Sequence, residues 1–284
     1  MHCHGTRILR AALLLLLLFA ASHPALPTPA VATEGETATT SPEVAAQVDR
    51  LIAVSGLAAE LADDLTQTRS LLVARCAASD RCTVYSDAVT STLAAGTREL
   101  KLGPIARPPL AEMVSLLSED DVEQIFAFYD SPLGRRIVEQ EATARTAEHR
   151  QQVANTTEEI YWRLTDDRIA QIETFDSSTD FGALRRLQAG FAERVIGWLD
   201  RRAEEQDRTG TPSGDGAPID RHRLHVHLGL MFEPLTDDEL DTYLDFVTGD
   251  VGETWFATRR EIRANSVRAD LKVVLTRLID RLAD

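Results

Sequence analysis

The chain has 284 residues, with 30 Lys and Arg against 45 Asp and Glu and a formal net charge of −15. Its 44% hydrophobic and 26% charged residues exclude a disordered chain, a collagen-like chain and a multi-span membrane protein. The acidic balance also excludes a nucleic-acid partner, because phosphates require neutralising cations.

In chain order, the first element is a targeting segment. Arg7 and Arg10 precede an unbroken apolar run at 11–21, well short of the roughly 20 residues a spanning helix needs. Small residues follow in two cleavage frames, Ala20-Ala21-Ser22 and Ala30-Val31-Ala32. This is the layout of a secretory signal peptide. Residues 1–32 are therefore expected to be signal peptide and leader, and the mature protein periplasmic with no stable membrane span. No Cys follows the run, so a lipoprotein anchor is not expected. The rival is an uncleaved N-terminal anchor, which the closing Pro24, Pro27 and Pro29 disfavour. Residues 33–42 continue as a flexible Pro/Thr/Ala-rich linker.

Signal cleavage removes Cys3 and leaves Cys76 and Cys82, an even pair in an oxidising compartment. A structural disulfide is expected. The short loop between them closes one helix before the next, and its stabilisation is modest because little of the unfolded chain is restrained. A redox or metal pair is the alternative, but the spacing is not C-x-x-C and no His lies nearby.

Ser41-Pro42-Glu43 supplies an N-cap, a Pro at the first helical position and an acid in the first turn. Helical periodicity follows in Val48, Leu51, Ile52 and Ser55, and resumes after Gly56 in Leu57, Leu61 and Leu65. Strand-type alternation is not sustained anywhere; Val84-Tyr85 comes nearest and is too short. Residues 206–218 read as a Gly/Pro/Ser/Asp-rich loop. The expected fold is all-α, built of helical hairpins.

Sliding the chain by 118 residues lays Leu117-Ser118-Glu119-Asp120-Asp121-Val122 on Leu235-Thr236-Asp237-Asp238-Glu239-Leu240. It also lays Phe128 on Phe246, Gly134 on Gly252 and Asp49-Arg50-Leu51 on Asp167-Arg168-Ile169. Two related halves are expected, 43–165 and 166–284. Ser118 and Thr236 read as N-caps, with Asp121 and Glu239 at N3 completing capping boxes. Leu117 with Val122, and Leu235 with Leu240, then form hydrophobic staples. The remaining acids complement the helix dipole, so these clusters have a structural rather than a catalytic reading.

The stretch from Leu117-Ser118 through Phe126-Ala127-Phe128-Tyr129-Asp130-Ser131-Pro132-Leu133-Gly134-Arg135-Arg136 resembles the signature of the DUF2059 proteins, exported bacterial proteins whose shared domain has no assigned function. The resemblance centres on 110–150 and implies an α-helical domain and an envelope location. It implies no chemistry. The second half departs from it, because Val247-Thr248-Gly249-Asp250-Val251-Gly252 lacks the Tyr, the Ser-Pro and the basic pair. Within the motif, Ser131 caps a second helix and Pro132 sits at its first position. Gly134 falls in its first turn, where Gly costs about 1 kcal/mol against Ala, a cost that makes sense if another backbone approaches closely. Phe126, Phe128, Tyr129 and Leu133 read as core at a hairpin corner, with an aromatic ligand groove as the alternative.

His222, His225 and His227 form the one histidine cluster. Their spacing does not suit a zinc site, and they are expected at an exposed helix start. Nucleophile elbows, phosphate loops and dinucleotide fingerprints are absent. No cofactor is expected. The reading that follows is a non-enzymatic envelope protein that binds another envelope protein or supports the envelope. An enzyme with a scattered site and a carrier of hydrophobic ligands stay open as alternatives.

Overall fold

Ser41 opens the first helix: its hydroxyl accepts the Val44 N–H at 3.2 Å, with Pro42 at the first helical position. The computed structural model describes residues 41–80, 82–96, 103–207 and 221–283; the expected signal peptide and leader, the expected linker up to residue 40 and most of the 206–218 loop lie outside them. Helix α1 (Pro42–Val54) breaks at Gly56, whose φ of 68° is left-handed and open to glycine without a side-chain clash. Helix α2 (Leu57–Ala77) ends in a loop closed by the Cys76–Cys82 disulfide, with Cα atoms 5.0 Å apart. A 3-10 turn, Cys82–Tyr85, takes up the residues nearest to a strand in sequence and leads into α3 (Ser86–Gly96).

Nine further helices follow among the described residues. These are α4 (Gly103–Leu116), α5 (Glu119–Asp130), α6 (Pro132–Ala144), α7 (Ala147–Tyr161), α8 (Asp166–Thr179), α9 (Phe181–Asp207), α10 (Arg221–Phe232), α11 (Asp237–Thr248) and α12 (Asp250–Ala283). Among the described residues there is no strand, and the fold is all-α. Helix α4 carries Pro108 and Pro109 in its interior, each removing a backbone bond. Burial of Leu110, Met113 and Val114 against α1 and α12 holds it nonetheless.

Short side chains set the helix starts. Ser118 Oγ accepts the Asp121 N–H at 3.1 Å and Asp121 returns a carboxylate oxygen to the Ser118 N–H at 3.2 Å. Thr236 and Glu239 make the same capping box at 3.3 and 3.0 Å. Thr146 and Thr165 cap α7 and α8 in the simpler form. Each such cap satisfies an otherwise orphaned N–H and is worth about 1 kcal/mol.

Helix α12 is the spine. Its 34 residues run against α2, α3, α4, α5, α8, α9 and α11. Two buried clusters form along it. One includes Leu51, Leu61, Leu110, Ile125, Tyr129, Phe175, Phe232, Tyr243 and Trp255. The other joins Leu65, Leu72 and Val89 to Phe191, Val195, Leu199, Val267 and Leu271, with both disulfide sulfurs inside it. Each cluster therefore draws residues from both sides of position 165, so neither half buries its apolar surface alone.

Candidate functional site

Three helices bring pairs of charges, one turn apart, to a common point. Glu60 and Asp64 come from α2, Glu141 from α6 and Arg145 from its C-cap, and Arg259 and Arg263 from α12. In a helix the i, i+4 spacing puts both members of each pair on one face. Arg259 donates to Glu60 at 2.6 Å through Nε and to Glu141 at 2.5 Å through Nη2. Arg263 grips Asp64 with two bonds of 2.8 and 3.0 Å and reaches Glu60 at 3.0 Å. Arg145 lies 4.0 Å from Glu60, 3.9 Å from Glu141 and 3.2 Å from Asp63. Tyr243 donates its hydroxyl to Glu141 at 3.1 Å, and Trp255 donates to the Tyr129 hydroxyl at 2.8 Å. A cavity of about 40 Å³ lies beside this network. Phe175, Phe181, Met231 and Phe256 give it an apolar side, and Arg185 and His227 also line it.

Burial by itself pushes the Glu60 carboxyl up, but Arg259, Arg263 and Arg145 outweigh burial and hold it at about 2. Asp64 goes the other way: burial dominates, and the nearby Glu60 charge adds to it against Arg263. Burial disfavours the Arg259 cation, yet Glu141 and Glu60 raise its pKa well above the ordinary value. Burial also raises the Tyr243 and Tyr129 phenols, with the Glu141 charge adding to both. His227 and His149 are pushed down, first by burial and then by cations, Arg185 among them. Glu60 and Arg259 are thus held charged by each other, and both tyrosines are held neutral. Such a network pins three helices together, with the Asp64 carboxyl raised beside the lowered Glu60.

The motif residues occupy the α5–α6 corner. Phe128 stacks on Phe246 with ring centres 3.9 Å apart and planes 7° from parallel. Tyr129 is buried and accepts from Trp255. Ser131 caps α6 by accepting the Gly134 N–H at 2.9 Å, and Pro132 takes the first helical position. At Gly134 a Cβ would lie 2.0 Å from the Phe128 carbonyl oxygen, and at Gly252 1.7 Å from that of Phe246. Arg135 is exposed. Arg136 pairs with Glu239, the N3 carboxylate of α11, and that carboxyl is lowered first by its bond to the Thr236 N–H and then by Arg136. Gly249, which stands where the motif has Ser131, adopts the same extended backbone, φ −74° against −69°. The second corner therefore forms without a Ser-Pro.

The histidines correct the sequence reading. His222 is exposed at the start of α10, but His225 and His227 are buried, because α10 packs against α6, α7 and α8. His222 lies on Tyr161, His225 approaches Glu173 at 3.5 Å, and His227 packs against Phe181 and His149. Their faces diverge, and among the described residues no three His, Cys, Asp or Glu side chains are placed to hold a metal ion. Sequence reasoning did not single out Glu60, Asp64, Glu141, Arg145, Arg185, Arg259 or Arg263. It also passed over the buried Arg69–Asp270 pair in the second core. One signal was present: the 118-residue offset lays Glu141 on Arg259, opposite charges at matching positions.

Fold and site together define an all-α protein whose helices interlock at glycine corners and around a buried ion network. Residues 115–155 match DUF2059, described as an uncharacterized protein conserved in bacteria, the family that the corner motif resembles. No curated protein and no solved structure matches the chain.

Proposed function

We propose that this is an exported, non-enzymatic envelope protein of two related halves, which binds another envelope protein. The observation that carries the binding reading is Trp162, 82% exposed immediately after α7. Tyr161 lies edge-on beside it at 5.9 Å. An exposed tryptophan braced by a second aromatic is the kind of residue that dominates protein interfaces. The engagement of Glu60 and Glu141 in ion pairs with Arg259 supports the non-enzymatic half of the reading. Export is supported by the n-region, apolar run and small residues before 33, and by the disulfide.

Several pairings support two related halves. Both capping boxes, both corner glycines and the Phe128–Phe246 stack share one offset, as do Glu141 and its partner Arg259. Equivalent residues that touch each other are the mark of packing across a two-fold axis. Matching helices also pack in matching order: α1 on α4 as α8 on α10, and α5 on α6 as α11 on α12.

The test places a photo-cross-linking amino acid at position 162 in the full chain in intact cells. One reproducible adduct with an envelope protein, identified by mass spectrometry, is the expected result. Adducts confined to lipid, or none at all, would overturn the binding reading. N-terminal sequencing of the periplasmic fraction tests the export, and a product starting after residue 22 or 32 is expected.

A further inference from the structure

One cation at the cavity stands outside the ion pairs of its network. Glu60, Asp64 and Glu141 are engaged by Arg145, Arg259 and Arg263. Arg260 faces Asp180 at 3.8 Å. Arg185, on α9, also lines the cavity and is only partly exposed, yet it makes no hydrogen bond or ion pair with the described residues. Its guanidinium lies 5.6 Å from the centre of the Phe181 ring, a contact that leaves the N–H donors unused. Asp64, the carboxylate that favours its charge, is already held by two bonds from Arg263, so the flat fork of Arg185 stays open and matches a further carboxylate.

We propose that the cavity binds a small monocarboxylate, with Arg185 taking the carboxylate and Phe181, Met231 and Phe256 covering its alkyl group. This inference goes beyond the protein-binding reading and does not depend on it. The volume of about 40 Å³ admits roughly three water-sized probes, which sets the scale at acetate or propionate. The apolar side favours a short alkyl carboxylate over a strongly hydrated phosphate. The histidines support a positive field here. His227 is held neutral by burial, Arg185, His149 and Arg150, and His149 by burial, Arg185 and Arg150, against a bond to the His227 backbone. Arg185 itself is lowered to about 10 by burial, with Arg263 and Arg150 adding to it and Asp64 opposing.

The experiment is calorimetric titration of the mature protein with sodium propionate, and separately with sodium phosphate and sodium chloride at matched ionic strength. Propionate is expected to bind the wild type saturably. Its affinity should be unchanged in Arg186→Gln, an exposed neighbour paired with Asp180, and at least tenfold weaker in Arg185→Gln. Circular dichroism of Arg185→Gln checks that it folds; if it does not, Arg185→Lys, which keeps the charge but not the fork, should still weaken binding. An NMR titration gives a second readout, in which propionate raises the His227 midpoint in the wild type and not in the variant. No propionate binding, equal binding by Arg185→Gln, or an equal response to chloride would overturn the proposal. Phosphate binding tighter than propionate would overturn the choice of a carboxylate.

Discussion

Glu60 shows how much a single buried charge depends on its neighbours. Its carboxyl titrates near 2 in the fold against an ordinary 4.5. A carboxyl lowered by folding contributes stability that is whole above about 4.5 and is lost as the pH falls from there towards 2. Glu60→Gln keeps the shape but leaves Arg259 and Arg263 short of an anion, which should cost about 3–5 kcal/mol at pH 7. Urea unfolding at pH 7, 4 and 3 checks both points. The wild type should lose stability steeply between pH 4.5 and 3, and the variant should start lower and lose less over that range. The sequence did not expose this residue, since Glu60 and Asp64 on a helix with Leu57, Leu61 and Leu65 look like a solvated edge. The arginines that bury them lie up to 199 positions away.

At the scale of elements, the tight corners are the most instructive feature. Helix α5 ends and α6 begins around the single residue Ser131, so the Phe128 carbonyl sits where a side chain at 134 would stand. Alanine is the better helix former by about 1 kcal/mol, yet Gly134→Ala should destabilise, by about 1–3 kcal/mol, because the obstacle is backbone that cannot rotate away. Ser118→Ala removes one cap and should cost about 1 kcal/mol. Thermal unfolding of the two variants ranks them. A melting temperature raised by Gly134→Ala would mean that the corner opens freely. Such caps and corners were readable in advance because they involve residues three to six apart. The burial of His225 and His227 was not readable, since α7 and α8 decide it and local spacing carries no trace of them.

Across the whole molecule, the two cores each combine residues from both halves, and Phe128 finds its stacking partner at Phe246. A fragment comprising 43–165 would expose Ile125, Tyr129 and Leu72 and would leave Glu60, Asp64 and Glu141 without Arg259 and Arg263. It should be unfolded at low concentration, or should self-associate if two copies can imitate the missing half. Size-exclusion chromatography with circular dichroism distinguishes these, and a stable, fully helical monomer would contradict the shared-core account.

Local chemistry was enough for the sequence by itself to determine the all-α class, the DUF2059 resemblance, the helix starts at Ser41, Ser118, Ser131 and Thr236, and the Cys76–Cys82 pairing. These features rest on helical period, caps and a short loop, whose energies are settled within a few neighbouring residues. Only the tertiary structure decided that Glu60, Glu141 and Arg259 meet, that Arg185 lines a cavity outside the ion pairs around it, and that the histidines part company. Those outcomes depend on which helices pack together. That is determined by the summed burial of apolar faces far apart in the chain, and no single stretch of sequence contains that sum.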